Sequence, residues 1–182
     1  MTEDYQIAWP KGASVIIQSR WRPEETHQFQ TEQEAAAHAA LINEAVSWIG
    51  TPFRNCTDVK GAQGGVDCAM LLVRCFVDTG RLLPFDPRPY PPQWHCHHDE
   101  ERFLNLVARL GGKEVETPRI GDVCVYGFGH CYSHGAIVIN KDEVVHAFQK
   151  IGMCAATRLD DTDLALRGNG ERPVKFFEIR GE

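Results

Sequence analysis

No run of this chain approaches the roughly 18 consecutive apolar residues that cross a bilayer, so membrane insertion is not expected. A basic cluster is missing too. With 19 lysines and arginines against 25 aspartates and glutamates, the formal net charge is −6 and the pI is near 5.7. That balance excludes the electrostatic footprint of a nucleic-acid binder. The opening residues Met1-Thr2-Glu3-Asp4-Tyr5 lack the basic region, apolar stretch and cleavage site of a secretory signal, so synthesis in the cytoplasm is expected. No C-x-x-C pair occurs, and the seven cysteines are an odd set without the rhythm of a disulfide scaffold. Reduced thiols are therefore expected.

What is present is one patterned body. A chain of 182 residues is expected to form a single domain, read as residues 31–182 with an N-terminal extension, 1–30, packed on it. In the extension only Ser14-Val15-Ile16-Ile17-Gln18 reads as a strand, followed by a loop. Thr31-Glu32-Gln33-Glu34 has the capping-box pattern. The alanine-rich stretch after it predicts a helix to Ile49 with Leu41, Ala45, Trp48 and Ile49 inward, stopped by Gly50 and Thr51-Pro52. Residues 53–67, with Gly61, Gly64 and Gly65, predict a loop, and an apolar helix over 68–79 closes at Gly80. The proline-rich stretch 84–92 excludes regular structure. Asp99 is placed to cap a helix over 100–110 with Phe103, Leu104, Val107 and Leu110 on its buried stripe. Beyond Gly111-Gly112 the period changes to that of strands, expected at 123–126, 135–139, 143–148 and 174–179. Helices ahead of a mostly antiparallel sheet make an α+β fold.

Three side chains carry chemistry. Cys68 opens the apolar helix directly after the glycine-rich loop, where the helix dipole biases a thiol toward thiolate and the first N–H groups face a developing oxyanion. His134 follows Cys131-Tyr132-Ser133 and precedes the small residues Gly135 and Ala136, which leave room for a neighbouring helix or a substrate. A histidine on a rigid strand serves as general base, and His146, 12 positions on, is the candidate to orient it. Counting the hairpin between them is informative. A two-residue loop at Lys141-Asp142 puts the two imidazoles on opposite faces. A three-residue loop, 140–142, pairs Ile139 with Glu143 and puts them on one face. The odd loop is expected, because only that register lets the rings cooperate. Cys75 and Cys124, inside apolar segments, read as small core residues.

Taken in order, Trp48-Ile49-Gly50-Thr51-Pro52-Phe53, Gly65-Val66-Asp67-Cys68, Ile120-Gly121-Asp122-Val123, Ser133-His134-Gly135-Ala136-Ile137 and Val145-His146-Ala147 resemble the NlpC-type cell-wall peptidases, a branch of the papain-like cysteine hydrolases. The resemblance covers residues 44–148. It implies a papain-like α+β fold, with N-terminal helices including the cysteine helix packed on a mostly antiparallel sheet. It implies that Cys68 attacks, His134 is the base and His146 orients it, with no metal and no cofactor. The implied substrate is the stem peptide of bacterial peptidoglycan, cut at an amide next to D-glutamate and a diamino acid.

Where that family usually has tyrosine, this chain has Phe53, so an oxyanion or substrate contact would fall to the side-chain amide of Asn55 or Gln63. Asp67 and Ser133, flanking nucleophile and base, complete the expected substrate-facing set. Ala69-Met70 stand where the family often has Ser-Gly. The proline-rich loop followed by a helix, with no signal peptide or wall-binding module, looks like the phage-associated members. These imply tail-protein partners and delivery to the periplasm or cell wall within a phage tail. Other readings stay open: an inactive tail or wall-binding module on the same scaffold, a related cysteine hydrolase or acyltransferase with another substrate, or an interbacterial toxin.

His95-Cys96-His97-His98 suggests metal at first sight, but four adjacent ligand types cannot all point at one ion. Tyr90 and Trp94 in the same region are read as bordering a substrate groove or as packing. The run Asp160-Asp161-Thr162-Asp163 reads as a solvated turn.

Overall fold

The computed structural model describes residues 7–19, 22–91, 100–168 and 170–180. The expected cap Asp99, Trp94 and the cluster His95-Cys96-His97-His98 lie outside the described residues.

The N-terminal segment holds more structure than its pattern shows. β1 (Ile7–Lys11), β2 (Ser14–Ser19) and β3 (Arg22–Gln28) form an antiparallel three-stranded sheet where only the middle strand was expected. β3 reads Arg-Pro-Glu-Glu-Thr-His-Gln and has no apolar face to announce it. As an edge strand carrying proline and charge it needs none. Val15, Ile16 and Ile17 of β2 are buried, and Val15 and Ile17 join the main core. The Asn43 side chain accepts from the Ala8 N–H (2.9 Å) and donates to the Ala8 carbonyl (2.7 Å), clipping β1 to the helix behind it.

That helix, α1 (Glu32–Ser47), starts as the sequence predicts. The Thr31 hydroxyl accepts from the Glu34 N–H at 3.1 Å. Glu34 reaches back one residue further than a capping box requires, to the Gln30 N–H at 3.0 Å. Its buried stripe is Ala35, His38, Ala39, Leu41, Ile42 and Ala45. β4 (Asp58–Val59) and β5 (Gly65–Val66) form a two-stranded hairpin inside the expected glycine loop. Next come α2 (Cys68–Asp78) and α3 (Arg102–Arg109). Glu101 stands at the start of α3 without capping it. Its carboxylate instead accepts from the Tyr132 N–H at 2.9 Å.

The rest of the chain is mostly sheet. β6 (Gly112–Val115), β7 (Val123–Phe128), β8 (Cys131–Val138), β9 (Glu143–Phe148) and β10 (Met153–Arg158) are followed by the single turn α4 (Thr162–Ala165). The short pair β11 (Leu166–Arg167) and β12 (Gly170–Glu171) precedes β13 (Val174–Ile179). Six of these strands form an antiparallel sheet in the order β10-β9-β8-β7-β13-β6. β6 and β10 were not expected, since neither alternates strongly. The acidic run expected as a solvated turn does turn, but Asp161 also caps α4 by accepting from the Asp163 N–H at 2.9 Å, and Leu164 behind it is buried.

Both sheet faces are covered. Val123, Val125, Ile137, Ile139, Val145 and Ala147 pack into one core with α1 and α2. Cys124, Tyr126, Ala136, Val138 and Val144 pack with Leu164 on the other face. This two-sided burial explains why 135–139 reads as a continuous apolar run. Each fully buried aliphatic side chain contributes about 1.5–3 kcal/mol. Cys75 and Cys124 are core residues, as expected. The fold is α+β, with the cysteine helix packed on a mostly antiparallel sheet.

Candidate active site

The site begins with the N-terminus of α2. Asp67 is its N-cap, in extended conformation, with Oδ1 accepting from the Met70 N–H at 2.9 Å. Oδ2 accepts from the Cys56 N–H at 2.6 Å, and the Tyr90 hydroxyl donates to the carboxylate at 2.8 Å. One buried carboxylate therefore fixes three segments: the loop before the helix, the helix itself and the proline-rich stretch. Cys56 takes a left-handed φ of 54°, rare for a residue with a β-carbon. Gly64 is obligatory in this loop, because a β-carbon there would lie 1.8 Å from the Val59 carbonyl oxygen.

Cys68 follows at the first helical position. Its sulfur lies 3.9 Å from the carbonyl oxygen of Ser133, the residue before His134. Burial pushes the Cys68 thiol up to about 12, and the Asp67 carboxylate adds to the rise. The N–H groups of Gly135, Ala69 and Cys68 itself pull the other way. The residue is part-exposed even though its sulfur is closely surrounded. The expected bias toward thiolate is thus present, as helix N–H groups aimed at sulfur, but desolvation outweighs it. The Cys68 thiol is therefore neutral at physiological pH.

The histidines come from the hairpin β8–β9. Ile137 pairs with Val145 and Val138 with Val144, and the Ile139 N–H donates to the Glu143 carbonyl at 2.9 Å. The three-residue loop 140–142 is the register expected, and the two imidazoles share a face. His134 Nε2 and His146 Nδ1 are 2.9 Å apart. On the other side of β8, pairing with β7 slips between Tyr126 and Gly127, so Ser133 is the extra residue of a bulge just before His134. Bulges re-aim neighbouring side chains, and this one turns the Ser133 carbonyl toward the sulfur. Gly135 lets the helices close on the strand: a β-carbon there would lie 2.6 Å from Phe103 and 2.7 Å from Leu72.

His134 is 6% exposed and His146 is fully buried. Phe148 and Phe128 pack on His134 with centroids 4.8 and 5.5 Å away, shielding its imidazole from water. Burial lowers the His146 pKa to about 4, with the Asp161 carboxylate acting weakly against the shift. His146 is therefore a neutral imidazole at physiological pH. Its Nε2 lies 3.0 Å from the Thr157 hydroxyl on β10.

Cys68 and His134 line the same cavity, of about 620 Å³. Phe53, Asn55, Asp67 and Ser133 line it too, so the structure gathers these predicted residues into one place. Gln63 is not brought there. It is exposed on the glycine loop and absent from the lining, because that loop folds back through the Gly61–Gly64 turn. Ser133 offers its carbonyl to the sulfur, while its hydroxyl points to the Phe128 carbonyl at 3.5 Å. Tyr90 borders the cavity from the proline-rich stretch, one of the two readings made for it, and brings a phenol to the site that Phe53 does not. Thr157 was missed, since its strand was missed and Ala155-Ala156-Thr157 carries no motif. Among the described residues no cluster of three or more His, Cys, Asp or Glu is arranged to hold a metal ion.

A thiol at a helix start and an imidazole on one cavity, the imidazole hydrogen-bonded to a second one behind it, can support acyl-transfer chemistry. No family model matches the chain, and no curated protein matches it. Among solved structures it is similar to the peptidoglycan hydrolase RipB from Mycobacterium tuberculosis, at 19% identity over 79% of this chain and 65% of that one, with a TM-score of 0.49. It is also similar to the P60 domain of an antigen from M. avium subspecies paratuberculosis, at 16% identity over 80% of this chain and 96% of that one, with a TM-score of 0.46. The chain spans less than two thirds of the length of the RipB structure.

Proposed function

We propose that the protein is a cysteine endopeptidase or amidase that hydrolyses amide bonds in the stem peptides of bacterial peptidoglycan. The observation that carries the reaction class is that Cys68 and His134 line one cavity, with His134 held through Nε2 by His146. The substrate class rests on the ordered motifs from Trp48 to Ala147.

In this reading the neutral thiol attacks as it is deprotonated. The Cys68 sulfur bonds to the carbonyl carbon while its proton passes to Nδ1 of His134, the nitrogen not turned to His146. The Cys68 N–H faces the developing oxyanion from the helix terminus. His134 then gives the proton to the leaving amine, and a thioester remains. Water, deprotonated by His134, cleaves the thioester and returns the thiol. His146 stays neutral throughout and holds the ring of His134.

The proposed delivery is within a phage tail, with tail proteins as partners, and finding the chain in purified virions tests that part. Phe53 and the raised thiol favour a second reading, a non-catalytic wall-binding module on the same scaffold. Digestion of purified sacculi separates the two. The wild type should release muropeptide fragments with new amine and carboxyl ends, and Cys68→Ala should release none while keeping the native circular dichroism. A Cys68→Ala protein that still cuts refutes the mechanism, and a wild type that binds sacculi without cutting supports the module.

A further inference from the structure

We propose that Thr157 is a positioning residue of the site: by accepting a hydrogen bond from Nε2–H of His146, it sets the direction in which every proton along Cys68, His134 and His146 points. The inference rests on the hydrolase reading for its effect on rate, but its structural content stands apart from it.

A neutral imidazole carries one proton and offers one lone pair. His146 is fully buried, with Nδ1 2.9 Å from His134 Nε2 and Nε2 3.0 Å from Thr157 Oγ1. Two arrangements satisfy these contacts. With the proton on Nε2, His146 donates to Thr157 and accepts from His134 Nε2–H, which leaves Nδ1 of His134 as a lone pair able to take the thiol proton. With the proton on Nδ1 the chain reverses. His134 must then accept at Nε2 and carry its own proton on Nδ1, where it cannot act as base toward sulfur. The same two rings at the same distance are thus competent in one polarity and inert in the other.

Thr157 selects between them from the far end. β10 pairs with β9 so that Ala155 is opposite His146, and Thr157, two residues on, lies on the same face as its diagonal neighbour. Its hydroxyl has its own acceptor in the Arg158 carbonyl at 3.5 Å, a long contact that still gives the hydroxyl proton a direction. Oγ1 is then left to receive Nε2–H. Without that oxygen, the Nε2–H tautomer would bury an unsatisfied donor.

The test labels histidine ring nitrogens with 15N and reads, from their shifts and couplings to ring protons, which nitrogen of His146 is protonated. Wild type and Thr157→Ser should both carry the proton on Nε2. Thr157→Val, similar in volume but without an acceptor, should shift His146 toward the Nδ1–H form. Its kcat should fall by about 10-fold, as loss of one ordinary hydrogen bond allows, with KM changed less than about twofold. Thr157→Ser should restore the rate. A wild-type His146 with bare Nε2 overturns the proposal before any variant is made, and so does a Thr157→Val protein with unchanged tautomer or unchanged kcat. A wild type that cleaves no amide overturns the hydrolase reading instead, and the ring-nitrogen assignment still decides the role of Thr157.

Discussion

Substituting alanine for Gly135 sets a β-carbon 2.6 Å from Cζ of Phe103 and 2.7 Å from Cδ1 of Leu72. Carbon atoms pack best about 3.5–4.0 Å apart, so each contact is short by about 1 Å. The two obstacles sit on different elements, Phe103 on α3 and Leu72 on α2, so a single rotamer change does not relieve both. Leu72 lies one turn beyond Cys68 on the same helix face, so moving it away from β8 carries the sulfur away from Ser133 and Gly135.

Overpacking of this kind costs about 1–3 kcal/mol of stability. A displacement of about 1 Å at a reacting group costs on the order of 10²-fold in rate. Gly135→Ala should therefore lower the urea midpoint and reduce sacculus digestion more severely than the stability loss alone explains. Adding Leu72→Val, which withdraws one obstacle, should recover part of both. An alanine variant within about 0.5 kcal/mol of wild type, the range of an ordinary surface change, and with full activity would refute the claim that this close approach positions the Cys68 sulfur.

Two further outcomes follow from charge and burial. Because the Asp67 carboxylate opposes ionisation of Cys68, Asp67→Asn should speed alkylation of Cys68 at fixed pH, mapped by mass spectrometry to distinguish it from Cys56. The same change weakens a charged acceptor of three donors and should cost about 1.5–3 kcal/mol, so faster labelling should accompany lower stability. Equal labelling rates in the two proteins contradict the charge assignment. The pH dependence of stability has a definite sign. Burial lowers His38 and His146 from 6.5 to about 4, so the unfolded chain binds more protons below pH 6.5, and stability falls as the pH drops toward 4, by at most about 1.4 kcal/mol per pH unit for each histidine. Asp122, raised by burial from 3.8 to about 6, acts oppositely, because the folded state takes up its proton first and gains stability as the pH falls from 6 to 4. Asp122→Asn removes that offset, so its urea midpoint should drop more steeply than that of wild type between pH 6 and 4, and a flat profile in the variant contradicts the account.

Several parts of this molecule are written locally. The Thr31 and Asp67 caps announce α1 and α2, because a short polar side chain before an apolar period satisfies the helix's first N–H groups. Cys68 is placed at a helix start by the glycines and aspartate before it. Parity narrows the β8–β9 hairpin to two outcomes, since one residue more or less in the loop moves His146 to the opposite face, and it was the need for the two imidazoles to cooperate that chose between them.

Other parts depend on neighbours distant along the chain. β3 and β10 have weak patterns of their own and are strands because β2 and β9 supply their hydrogen-bond partners. Gln63 shares a loop with residues that reach the cavity, yet the turn of that loop carries it outward. Tyr90 finds Asp67 across 23 positions, and Thr157 finds His146 across a strand pair. The state of the thiol belongs to this second group as well. A helix terminus favours thiolate wherever it occurs, but the amount of water around the sulfur is set by what packs over it. Periodicity and capping act within a few residues and can be read from order, whereas desolvation, cross-strand contact and the polarity of a proton chain exist only once distant segments meet.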